Sequence, residues 1–183
     1  MEDKPEYIER VTENAGLHNQ AWQRTLDDME SIAETRREEG WEAATFQTIQ
    51  TAPVSRADND NPDRFGISTV LPDNHAEEFR ELYEEHDLDQ YQVYSSEVEG
   101  YLYLVIEVLD LDSKTSVLLA LRYDLTIGRG MFKSVYEEDT IFTYVRTIDG
   151  TEIAVFEHQE YRPLLPEQAR PPEGARPSEN PDE

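Results

Sequence analysis

Glu107 is the one charged residue in the run from Tyr101 to Leu109, whose other positions are apolar or aromatic. A carboxylate buried in such a strand either titrates high or pairs with a base. Arg122 and Arg146, on neighbouring strand-like segments, are the expected partners. Acid–base chemistry needs two positioned carboxylates, or a carboxylate with a histidine. Glu107, Asp124 or His158 would supply it, with a metal ion, in a hydrolase. A structural ion pair is the simpler role for Glu107.

The histidines offer little else. His18 falls on an apolar helical stripe with Trp22, which suits a packed or interface histidine. His75 lies in a helix first turn. His86 sits in Glu84-Glu85-His86-Asp87, and adjacent helical residues do not converge on one ion. His158 follows a strand, with Glu157 and Glu160 close in sequence, and is the most site-like of the four. Asp58, Asp60, Asn61 and Asp63 imitate part of a calcium loop. Asp63 stands where that loop needs glycine, and Thr69 where it needs glutamate. Gly128-Arg129-Gly130 lacks the spacing of a phosphate-binding loop, and no G-x-S-x-G occurs. Catalytic residues therefore stay unassigned, and no metal or cofactor is expected. The candidate interaction or site residues are His18, Trp22, Glu107, Arg122, Asp124, Arg146 and His158. Tyrosines at 91, 94, 101, 103, 123, 136 and 144 add contact area suited to binding.

The elements that position these residues follow from periodicity. Residues 6 to 39 read as one long amphipathic helix, with Ile8, Val11, Ala15, His18, Trp22, Leu26, Met29 and Ala33 at spacings of three and four. Asn14 and Gly16 are its weak points, and Gly40 its stop. Trp41 to Thr51 reads as one strand, ended by Pro53. Phe65 to Leu71 reads as the next, joined to it as a hairpin across a polar loop. Asp73 or Asn74 is the expected cap of a short helix. Tyr91 to Val98, Tyr101 to Leu109 and Val117 to Leu125 make an antiparallel meander. Residues 127 to 137 form a short helix or crossover. Ile141 to Ile148 and Thr151 to Phe156 pair across Asp149-Gly150, a type I′ signal. The expected fold is α+β, a mainly antiparallel sheet of about five to seven strands packed against the long N-terminal helix and one or two shorter helices. The middle of this order resembles profilin-like and longin/roadblock scaffolds. Three regions follow: a helical region at 1–40, an α+β body at 41–166, and a Pro-rich acidic tail at 167–183, expected to be mobile.

Composition narrows the function. The 183 residues carry 41 Asp plus Glu against 16 Lys plus Arg, a formal charge of −25. No basic patch exists to neutralise phosphates, so nucleic acids and anionic membranes are poor partners. Without cysteine there is no disulfide, thiolate zinc site or iron–sulfur site. No apolar run approaches about 18 residues, and the start, Met1-Glu2-Asp3-Lys4-Pro5, is not a secretion signal. A cytoplasmic protein is expected. Acidity spread along the chain, with little lysine, suits molar salt, where the Debye length falls to about 3 Å.

The segments Tyr101-Leu102-Tyr103-Leu104-Val105-Ile106-Glu107, Leu118-Leu119-Ala120-Leu121-Arg122-Tyr123 and Thr143-Tyr144-Val145-Arg146-Thr147-Ile148-Asp149-Gly150-Thr151, with Phe156-Glu157-His158, resemble a family of uncharacterised acidic proteins of halophilic archaea. The resemblance spans most of residues 5 to 166 and implies salt adaptation and a cytoplasmic home. It carries no catalytic assignment. Beside the metal-assisted hydrolase, two function classes follow. One is a non-enzymatic interaction or structural module, forming a homodimer through the long helix. The other is a small-molecule-binding sensor domain.

Overall fold

The computed structural model describes residues 6–58 and 60–170, with side chains from residue 14 onward. Helix α1 (Glu6–Glu38) runs without a break through Asn14 and Gly16. Its last turn carries Arg36 and Arg37, where positive charge suits the helix dipole.

The segment expected as one strand is two, β1 (Glu42–Gln47) and β2 (Gln50–Val54). The division at Thr48 and Ile49 has a hydrogen-bonding cause. Thr48 donates through its N–H and its hydroxyl to the Ala120 carbonyl, while the next amide, Ile49, donates to Val70. Two consecutive residues thus anchor to different sheets, and the chain crosses between them. β2 pairs antiparallel with β3 (Gly66–Val70), the hairpin expected across the polar loop.

Helix α2 (Asp73–Glu85) begins one residue earlier than the expected caps allow, since Pro72 holds the N-cap position and no side chain caps it. The meander forms from β4 (Gln90–Val98), β5 (Tyr101–Asp110) and β6 (Thr115–Asp124). Glu99 and Gly100 join β4 to β5 with φ of 46° and 81°, the two positive angles a type I′ turn needs. Helix α3 (Arg129–Glu138) leads to β7 (Ile141–Arg146) and β8 (Glu152–His158). Their turn is not type I′. Only Gly150 has positive φ, and the Asp149 carboxylate instead accepts bonds from Thr147 and Thr151. That side-chain bonding gives Asp149 a local partner without the left-handed conformation.

The fold class is α+β, with eight strands in two mixed sheets of four, ordered β1-β6-β5-β4 and β2-β3-β7-β8. Four of the six pairings are antiparallel; β1 with β6 and β3 with β7 are parallel. One face of the first sheet packs under α1 through Met29, Ala33, Val105, Leu118 and Ala120. The other face shares a continuous core with the second sheet, α2 and α3. β5 is apolar on both faces because alternate residues serve the two cores: Leu102, Leu104, Ile106 and Val108 on one side, Val105 on the other.

Leu164 and Leu165 are fully buried, and the Tyr123 hydroxyl donates to the Leu164 carbonyl at 2.8 Å. The start of the expected mobile tail is docked as well. Gln168 and Arg170 reach Glu97 and Ser95 on β4. The rest of that tail, 171–183, lies outside the described residues.

Candidate functional site

Strand alternation turns Glu107 toward α1, where it is fully buried. Its partner is neither Arg122 nor Arg146. Arg36, from the last turn of α1, grips it with Nε and Nη2, each at 2.9 Å from a carboxylate oxygen. Ser116 on β6 donates its hydroxyl at 2.6 Å. A two-pronged guanidinium–carboxylate contact is among the stronger ion pairs available to a protein. The bond to Glu107 raises the Arg36 pKa further, so the guanidinium stays charged. The expected partners fail for reasons of place. Arg122 lies further along the face, directly opposite Tyr103. Arg146 belongs to the second sheet, where its Nε is buried without a hydrogen-bond partner.

Toward the other end of the packed helix, aromatic side chains gather around Arg122. Its guanidinium lies 4.9 Å from the Trp22 ring centre and 6.0 Å from that of Tyr103. The Tyr103 hydroxyl and His18 Nδ1 are 2.5 Å apart, and the Tyr101 ring meets the His18 ring edge-on at 4.7 Å. Burial pushes the Tyr103 hydroxyl pKa up, and Arg122 opposes that shift. The fold therefore unites His18, Trp22 and Arg122. Beside them opens a cleft of about 330 Å³, walled by Trp22, Tyr101, Arg122 and the crossing segment 47–51. Sequence reasoning missed that segment, because its bonds to Ala120 and Val70 leave no local signal.

The remaining candidates stand elsewhere. Asp124 caps the turn after β6, accepting from the Thr126 amide at 2.9 Å and its hydroxyl at 2.7 Å. His158 is fully buried on β8, with Nε2 2.9 Å from the Thr143 hydroxyl and its ring edge-on to Tyr91 at 4.6 Å. Burial lowers its pKa to about 4, so it is neutral at neutral pH. Tyr91 and Val108 share its cavity of about 440 Å³, which places His158 across the first sheet from Glu107. Glu157 bonds Thr140, and Glu160 pairs with Arg162, so neither completes an acid–base pair with His158. Among the described residues no three His, Asp or Glu side chains gather in a way that could hold a metal ion.

The result is an α+β domain whose carboxylate and histidine candidates are committed to packing, with one aromatic–guanidinium cleft at the flank of its long helix. A family of unknown function, DUF7529, matches residues 8–166, and the chain belongs to that family. No curated protein and no solved structure matches it. Among the described residues, no helix is long and apolar enough to cross a membrane.

Proposed function

We propose that this protein is a non-enzymatic interaction module that self-associates through the start of α1 in a salt-rich cytoplasm. The observation that carries this reading is the overhang of α1. Its 33 residues make a rod of about 50 Å, while the ten-residue strands β5 and β6 are about 33 Å long. Ala21, Thr25, Met29 and Ala33 are buried at every fourth position, but residues 14–17 are exposed, including Leu17. The sequence continues the apolar spacing upstream at positions 8, 11 and 15. A helix extending past its own sheet with an apolar stripe suits a second copy of itself, as an isologous contact.

The dispersal of Glu107, Asp124 and His158 favours binding over catalysis. The charge of −25 favours an environment of high ionic strength, in which repulsion between the two copies is screened. Removing residues 1–13 tests the assignment, because it shortens the overhang and keeps every buried position of α1 among the described side chains. In concentrated potassium chloride the full chain is expected at twice the mass of one chain, and the shortened chain at a single mass, both folded. A full chain that is already monomeric would overturn the proposal.

A further inference from the structure

We propose that the cleft beside Arg122 binds a small carboxylate bearing a flat apolar group. This goes beyond self-association and rests on different residues, since Trp22 and Arg122 lie on the packed part of α1 and on β6. Four observations meet there. The Arg122 guanidinium is held against Trp22 and Tyr103, and no carboxylate among the described residues pairs with it. Arg122 thus sets a positive charge beside a cleft in a chain whose formal charge is −25. The walls supply flat apolar surface from Trp22 and Tyr101, together with Ile49, which is 56% exposed. Gln47 and Gln50 are exposed on the same wall, and their carboxamides have no partners among the described residues. Thr48 and Thr51, by contrast, are engaged with Ala120 and Thr69.

The chemistry selects the ligand class. Part of the Arg122 N–H edge faces the Tyr103 hydroxyl, and the rest of a guanidinium edge stacked on an aromatic ring suits a planar carboxylate. One guanidinium neutralises one negative charge. A phosphate dianion would carry an uncompensated charge into an acidic protein, so a monoanion fits better. Burying the ligand's flat apolar part against Trp22, Tyr101 and Ile49 supplies the hydrophobic share of the affinity. The volume of about 330 Å³ lies at the small end of ligand sites, which suits a single-ring acid.

Trp22 is its own reporter. The chain has two tryptophans, so Trp41→Phe leaves Trp22 as the remaining indole. The W41F protein is titrated in concentrated potassium chloride with benzoate, and separately with benzamide, its neutral isostere. A saturable change in Trp22 emission with benzoate is expected, with affinity at least about 10-fold weaker for benzamide, the loss expected when a charge-assisted bond is removed. Arg122→Gln should weaken benzoate to a similar degree. Ile49→Glu, at an exposed wall position, should do so without touching the core. The shortened chain lacking residues 1–13 should bind benzoate as the full chain does, which separates this site from self-association. A linear, non-saturating response would overturn the proposal. So would equal affinity for benzamide, or undiminished benzoate binding in the folded I49E protein.

Discussion

Arg36 and Glu107 are 71 positions apart in sequence and meet under α1. Glu107 is fully buried, so removing its partner leaves a charge that water cannot reach. Arg36→Met is therefore expected to cost about 3–5 kcal/mol, and the double variant with Glu107→Met much less than that. Denaturant midpoints in molar salt check both. A cost for R36M below about 1 kcal/mol, typical of surface pairs, would contradict a buried role. His158 gives a pH dependence of known sign. Burial lowers its pKa from an ordinary 6.5 to about 4, so the unfolded chain takes up a proton that the fold refuses. Stability from this group is complete above pH ~6.5 and falls as the pH drops toward ~4, by on the order of 3 kcal/mol. His158→Gln should flatten that slope in denaturation curves taken between those pH values. An unchanged slope would assign the acid lability to other groups.

Among the elements, the parallel pairing of β3 with β7 depends on Gly66. Its φ is 134°, and a Cβ there would be driven into the Phe142 backbone. Gly66→Ala should cost about 2 kcal/mol or more, read as a lowered melting temperature. A neutral effect would mean that β3 can shift away from β7. Most strands were legible because their signals are local: β4 alternates, while β5 reads as a continuous apolar run of strand length. The split at Thr48 and Ile49 was not legible, because it is decided by Ala120 and Val70, residues distant in sequence. The partner of Glu107 was hidden for the same reason. Arg36 reads in sequence as a charge suited to a helix end, and only packing of α1 on β5 brings the two together. His18, Trp22 and Arg122 were legible singly, but their convergence required strand register. The packed half of α1 also limits any truncation. Removing residues 1–39 would delete Met29, Ala33 and Arg36 and uncover Leu118 and Ala120, so that chain is expected to unfold.

At the scale of the whole molecule, a charge of −25 on 183 residues opposes both compaction and self-association in dilute buffer. Screening by salt relieves both together, because the Debye length shrinks from about 10 Å at 0.1 M to about 3 Å at 1 M. The overhang of α1 and the acidity thus bear on one measurement. Mass by light scattering, with circular dichroism on the same samples, compares the full chain with the chain lacking residues 1–13 in about 3 M and about 0.3 M potassium chloride, on either side of that screening. The expected result is a folded full chain of twice 21.2 kDa at the higher salt, a folded monomer for the shortened chain, and loss of association and helix signal at the lower salt. A full chain that remains a folded monomer at both salts would contradict self-association through α1 and adaptation to salt alike.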